Sequence, residues 1–440
     1  MTPTASALSS ILPAAPRSLE DTGLDFETVT DLVLKTLHRS VGSSGGELAR
    51  RMGVPFGVIE RSLEHLRSLQ LSEIAGGSIM GGSAFRYRLT DRGHERAIRA
   101  HDINQYSGIA PVPLAQYRRY MAAFSQSAAK PVPSTEVHRA FEDLVVSPQV
   151  LDELGPAINA RHSIFIYGPP GNGKTVMAQH IRRLLGGTLA VPYALEVNGH
   201  IIRFFDPSVH EPVAPSDTDA DTSDSATRFD RRWVHCRRPT VTVGGELTLE
   251  ALSLRFDPRA GTYRAPVQTL ANGGVLVIDD FGRQQCPPRD LLNWWMVPLE
   301  SRVEYMTLGS GEKIEMPFEA LVIFSTNIRP SDLVDEAFLR RIRHKIYAGN
   351  PSIEAFTEIF RRCCTARQVP FDKTHVEYLL DTVYGPRRLP LRACQPRDLI
   401  DHALALAEYR GDARILTHDL LDAACTGYFL VDETATASDL

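Results

Sequence analysis

No stretch of the 440-residue chain approaches the ~18 continuous apolar residues of a membrane-spanning helix. Residues 1–16 lack a basic segment followed by an apolar core, so no secretory signal is read there. They form a Ser/Ala/Pro-rich leader. Net charge is small. The 48 Lys+Arg and 53 Asp+Glu leave −5, which excludes a chain that coats nucleic acid by charge alone. Cysteine is scarce. The six, Cys236, Cys286, Cys363, Cys364, Cys394 and Cys425, form no CxxC and no Cys/His spacing typical of zinc. They read as buried or idle thiols in a reducing cytosol. Glycine and proline, 31 and 29 residues, are too few for a collagen-like chain, and 43% hydrophobic residues exclude global disorder.

What is present divides the chain. Residues 1–25 read as a flexible tail. In 26–101, Val29, Leu32, Val33, Thr36 and Leu37 recur at helical spacing. A Gly/Ser break, a short helix at 47–52, a turn at Gly53 and a longer helix from Pro55 follow. Two strands, 71–74 and 85–89, flank a glycine-rich tip, and Thr90 or Asp91 caps a last helix. This order is that of a winged helix-turn-helix. Residues 1–100 carry 12 Lys+Arg and 11 Asp+Glu, and the second helix mixes Arg61 and Arg67 with Glu60 and Glu64. A phosphate-tracking surface is more one-sided. Protein docking or a structural accessory role is therefore favoured over DNA contact, although Arg50, Arg51, Arg86 and Arg88 leave a small basic patch. Residues 102–133 read as a proline-punctuated linker that Tyr106, Tyr117 and Tyr120 tack onto a neighbour.

The chemistry lies further on. An apolar run at 164–167 meets Gly168-Pro169-Pro170-Gly171-Asn172-Gly173-Lys174-Thr175, a complete GxxxxGK[ST]. Met177, Ile181, Leu184 and Leu185 behind it repeat at helical spacing. Strand, glycine loop and helix N-terminus are what phosphate binding requires. Lys174 suits the β- and γ-phosphates of ATP, and Thr175 suits Mg²⁺. A second apolar strand, 275–278, ends in Asp279-Asp280. Asp279 is placed to hold Mg²⁺ and Asp280 to orient or deprotonate the attacking water. A third strand, 320–324, ends in Ser325-Thr326-Asn327, whose amide can hold that water. Arg340 and Arg341 close the run 333–343, and Arg397 opens a helix after Gln395-Pro396.

The order and spacing of these elements resemble the AAA+ ATPases over about 134–428. The resemblance implies an α/β P-loop NTPase, an αβα sandwich at 134–348, with a helical lid at 349–430. Lys174 and Thr175 then match Walker A, Asp279 and Asp280 Walker B, Asn327 sensor 1 and Arg397 sensor 2. Arg341 best matches the arginine finger, with Arg340 next. The family usually shows Asp-Glu in Walker B, and here Asp280 is one methylene shorter. Residues 303–308 and 313–318 resemble the pre-sensor-1 hairpin of one branch. The segment 243–271 resembles the helix-2 insert of MoxR-type ATPases and bacterial enhancer-binding activators, whose inserts contact the remodelled partner. Phe256 and Tyr263 become candidate contacts, with ordinary packing of two aromatics the favoured reading. The activators' Gly-Ala-Phe-Thr-Gly-Ala loop is absent.

The remaining expectations are an acidic surface loop at 211–225, a basic run from Arg228 to Arg238 on solvated surface, and core or subunit packing for Trp294 and Trp295. The lid is expected to hold helices at 352–367, 373–384, 396–409 and 417–428, and 431–440 an acidic tail. Together they describe a cytoplasmic ATP hydrolase that forms a ring, a hexamer, and remodels a protein client recruited by the winged helix. The alternatives are a DNA-binding ATPase of transcription or DNA processing, and a nucleotide-gated scaffold.

Overall fold

The computed structural model describes residues 12–40, 42–77, 82–127, 131–161, 163–213, 229–333 and 339–429. The chain forms two compact units, each discontinuous in sequence. The first comprises Met1–Pro131, Leu185–Ile278 and Arg283–Val322; the second comprises Val132–Leu184, Asp279–Gly282 and Ile323–Leu440. The expected boundary at 348/349 is thus not where the chain divides. The middle of the expected nucleotide domain has its own core, and the lid helices fold in the same unit as the phosphate loop.

In the first unit, Asp25 caps the helix Phe26–His38 by accepting from Thr28 N at 2.7 Å. Ser44 and Glu47 form a capping box on Gly45–Met52. Gly53 ends that helix in the left-handed conformation, and Phe56–Ser68 follows. The strand Phe85–Leu89 pairs antiparallel with Ser43–Ser44 and with Ser72–Gly77. Thr90 caps the helix Asp91–Ile103. Val29, Val33, Leu48, Ile59, Leu63 and Ala97 close one core. Helix, short helix, longer helix, antiparallel strand pair and helix thus follow one another along the chain. Residues 78–81 of the wing tip lie outside the described residues.

Two expectations about connecting segments are corrected here. Within the expected tail, the helix Leu19–Thr22 carries a capping box, and Thr22 and Leu24 are buried. Within the expected linker, Leu114–Ser127 is a helix whose Tyr117, Tyr120 and Phe124 enter a core with Trp233, Phe204, Met306 and Met316. The physical reason is apolar area: three aromatics on one helical face bury more surface than a tether leaves exposed. The hairpin Val303–Thr307/Lys313–Pro317 supplies Met306, Ile314 and Met316 to that same core. Arg118 on the helix Leu114–Ser127 donates through Nε to Glu315 O at 2.9 Å.

The insert forms a short 3-10 turn, Leu249–Leu252, and strands Arg255–Asp257 and Thr262–Arg264. They extend a five-stranded sheet that also holds His200–Arg203, Ala194–Val197 and Val112–Pro113. Phe256 is exposed, but Tyr263 is buried and its hydroxyl accepts from Gly309 N at 2.7 Å. Tyr263 is therefore not an open contact. The basic run is also not uniformly solvated. Arg232 is 2% exposed, pairs with Asp230 at 2.8 Å and donates to Thr22 O at 2.9 Å. Arg238 stacks over Phe124, and Arg237 pairs with Glu211. Arg228 and 214–225 of the acidic segment lie outside the described residues, as does 431–440. Trp295 is fully buried, whereas Trp294 is exposed along its rim and not in the core, with only its Nε1 reaching inward to donate to Glu304 Oε1 at 3.1 Å.

In the second unit the strand Ile164–Tyr167 runs parallel to His344–Tyr347 and to the strand Leu321–Thr326. Ile164, Phe165 and Ile166 are fully buried, as a parallel strand covered on both faces requires. The helix Lys174–Leu184 covers them with Met177, Ala178 and Ile181. The lid helices are Ile353–Ala366, Lys373–Leu379, Gln395–Arg410 and His418–Tyr428 around Phe356, Phe360, Leu399, Ile400 and Leu421. The second stops at Leu379 and continues as one π turn, Leu380–Tyr384. Among the described residues no helix is long and apolar enough to cross a membrane.

Candidate nucleotide site

Every residue of the site that the structure brings together belongs to the second unit. The loop after Ile164–Tyr167 bends through Gly168 (φ +147°), Gly171 (φ +82°) and Gly173 (φ +75°). A Cβ on Gly168 would sit 2.2 Å from Ala348 O, and one on Gly171 2.5 Å from Cys394 Sγ. Glycine is required there by close approach as well as by φ. Loop and lid are stitched together. Cys394 N donates to Gly171 O at 2.8 Å, Ala393 N to Asn172 Oδ1 at 3.1 Å, and Arg392 Nη1 to Pro170 O at 3.2 Å. Asn172 Nδ2 donates in turn to Asn350 Oδ1 at 2.9 Å.

Lys174 is buried, with Nζ donating to Gly168 O at 3.0 Å, Pro169 O at 2.8 Å and Asn327 Oδ1 at 2.7 Å. Burial pulls its ammonium below the usual lysine range, and Asp280 and Asp279 oppose that shift. Thr175 Oγ1 donates to Asp279 Oδ2 at 2.9 Å. Asp280 has φ +46°, a left-handed conformation that aspartate tolerates better than most residues. It accepts from Asn327 Nδ2 at 3.0 Å.

The acids are aimed by packing beneath them. Phe281 N donates to Ser325 O at 2.7 Å, and Thr326 Oγ1 donates to Phe281 O at 2.7 Å. Phe165, Phe281 and Phe324 form a triangle with centroids 5.3–6.0 Å apart. The end of the Asp279-Asp280 segment is thereby locked to the strand that delivers Asn327.

A cavity of about 600 Å³ opens over these residues. It is lined by 170–177, Asp279, Asp280, Asn327 and Arg397, and on its other walls by 143–146, Ile359 and Cys363. Arg397 is where the sequence put it, but its guanidinium pairs with neighbouring Asp398 at 2.9 Å. Arg340 and Arg341 sit in the turn before His344–Tyr347, Arg340 exposed and Arg341 half-buried, and neither lines the cavity. Residues 334–338 of the same run lie outside the described residues.

A glycine loop between strand and helix, with two acids and an amide closing neighbouring strands, is the P-loop α/β fold. A family described as a domain of unknown function (DUF8689) matches residues 352–427, the lid helices. No curated protein matches the chain. Among solved structures the chain is similar to NtrX from Brucella abortus in complex with ATP, at 17% identity. That likeness covers 64% of this chain and 56% of NtrX, with a TM-score of 0.38. It is also similar to the Thermotoga maritima RuvB Holliday junction branch migration motor, at 14% identity over 64% of this chain and 68% of that one, TM-score 0.37. The chain thus spans little more than half of NtrX. The fold assignment rests on the chain's own loop, strands and helix.

Sequence reasoning missed the residues that reach the site from afar. Arg362 and Arg367 line the cavity from the helix Ile353–Ala366 and the residue after it. Arg392 braces the phosphate loop, and Asp143 lines the cavity just after Ser134–Ala140. The Arg-rich face of the first lid helix was the one available signal.

Proposed function

We propose that the chain is an AAA+ ATP hydrolase, a ring-forming one that couples turnover to remodelling of a protein partner. The observation that carries this is the connected set Lys174–Asn327–Asp280 beside the pair Thr175–Asp279, all facing one cavity. The loop amides and Lys174 receive the phosphates of ATP, the lysine leaving its loop carbonyls to do so. The Thr175 hydroxyl and an Asp279 oxygen, 2.9 Å apart, are adjacent hard oxygen donors of the kind Mg²⁺ takes. That ion would neutralise charge on the β- and γ-phosphates. Asp280 and Asn327 orient water for in-line attack on the γ-phosphorus. The water's proton passes to Asp280, and the β–γ bridging bond breaks to leave ADP and inorganic phosphate.

Arg341, or Arg340, serves a neighbouring copy by stabilising charge in the transition state. The winged-helix unit is read as a protein-docking element. Arg88 pairs with Glu73 and Arg61 stacks 5.1 Å over Phe26, so two arginines of the second helix and the strand pair are already engaged within the unit. The test is ATP turnover against protein concentration, with and without duplex DNA, alongside mass in solution. Specific activity that rises as a ring assembles, indifferent to DNA, is expected. Stimulation by DNA would replace the client reading with a DNA-directed one.

A further inference from the structure

Two kinds of residue line the second unit's cavity. The phosphate loop, its acids and Asn327 are polar. Leu144, Val145, Val146, Ile359, Cys363 and Ala366 are mostly apolar. Residues 142–146 lie between the helices Ser134–Ala140 and Pro148–Ala160 and belong to neither. A cavity wall without regular structure needs side chains to hold it.

Those side chains come from two helices. His180 and Arg183, on the phosphate-loop helix Lys174–Leu184, both reach Asp143. His180 Nε2 lies 2.9 Å from Asp143 Oδ1, and Arg183 Nη1 donates to Oδ2 at 3.2 Å. The His180 ring is buried against Phe141, with centroids 5.4 Å apart, and its Nδ1 lies 2.8 Å from Val176 O. From the lid helix Ile353–Ala366, Arg362 Nη1 donates to Glu142 O at 2.6 Å, its own Nε fixed on Glu358 Oε1 at 2.7 Å. Adjacent residues of one irregular segment are thus tied to the helix that starts at the phosphate loop and to the first helix of the lid.

We propose that Asp143 is a positioning residue: held by His180 and Arg183, it fixes the wall 144–146 against the base of the bound nucleotide. The proposal rests on the ATP reading above. Without the carboxylate the wall regains conformational freedom, which base binding must then remove. The phosphates are indifferent to this, because loop amides and Lys174 hold them and neither depends on the wall.

The two ends of the ligand are separable. Mg·ATP carries the base; Mg·tripolyphosphate carries the charge without it. By calorimetric titration, Asp143→Ala is expected to weaken Mg·ATP about ten-fold and to leave Mg·tripolyphosphate within about two-fold. In steady state, KM for ATP rises by a similar factor while kcat stays within about two-fold. Should Asp143→Ala fail to fold, Arg183→Leu removes one donor from an exposed position and reads the same split at about three-fold. Equal loss of both ligands, or no loss of either, overturns the proposal. Failure of the wild-type chain to bind either ligand removes the ATP reading, and the wild-type titration alone reveals that.

Discussion

Asn327 donates through Nδ2 to Asp280 Oδ1 at 3.0 Å, and its Oδ1 accepts from Lys174 Nζ at 2.7 Å. The lysine can only donate, so it fixes which way the amide points. One amide therefore links the position of Lys174 to that of Asp280. On the proposed reading, phosphate would draw Lys174 away and free the Asn327 carbonyl for the water that Asp280 would orient.

Replacing Asn327 with Ala should lower kcat about a hundred-fold and leave ATP affinity within about three-fold, because the amide acts on the water. Lys174→Ala should instead weaken ATP by a hundred-fold or more, roughly, by removing the only ammonium in the loop. Stopped-flow binding with single-turnover hydrolysis separates the two. A hundred-fold loss of affinity in Asn327→Ala would place the amide on the phosphates and not on the water.

The finger assignment is tested by mixing. Arg341→Ala rings should bind ATP normally and turn over about a thousand-fold slower. Added Lys174→Ala subunits, which keep Arg341, should restore part of the turnover by serving their neighbours' sites. Restoration absent for Arg341 but present for Arg340→Ala would exchange the two roles.

Much of the site was legible because its residues are local in sequence. Strand, glycine loop and helix follow one another, and both acids and Asn327 sit at strand ends where the apolar run stops. Arg362, Arg392 and Asp143 were not legible, because their positions depend on how lid helices meet the loop. Tyr117 and Tyr120 were misread for a related reason. Prolines at 111 and 113 looked like a tether, yet the aromatics after them recur at helical spacing and find a core contributed by strands that reach from Leu189 to Met316. Arg232 sat in a basic run that composition assigns to the surface, while a buried Asp230 two residues earlier neutralises it.

That buried pair carries a stability expectation. Arg232→Met leaves Asp230 buried without its partner, while Thr22 O and Gln116 Oε1 lose a donor. The cost should be about 3–5 kcal/mol. Removing both charges together should cost much less. All three tryptophans, Trp233, Trp294 and Trp295, lie in the first unit, so denaturation followed by tryptophan fluorescence reads that unit alone. Equal losses in the single and double variants would contradict the pairing.

Glu304 makes the first unit's stability depend on pH. It is 3% exposed, and burial raises its carboxyl from 4.5 to about 7, opposed by donors from Gln268 and Trp294. The folded carboxyl holds its proton where the unfolded one has lost it. Stability from this group is therefore full below about pH 4.5, falls as pH rises to about 7 and is level above. The span is about 3 kcal/mol. Glu304→Gln should remove that slope and be the more stable protein at pH 8. Parallel pH profiles for the two proteins would show that Glu304 titrates normally.

The most direct test of the ATPase assignment is the pair of numbers, ATP affinity and ATP turnover, for the wild-type chain and for Asp280→Asn. The amide keeps the shape of the side chain and removes the base. Wild type should bind and hydrolyse; Asp280→Asn should bind within about three-fold and lose at least about a hundred-fold in turnover. Unchanged turnover in Asp280→Asn, or a wild-type chain to which Mg·ATP does not bind, would contradict the account.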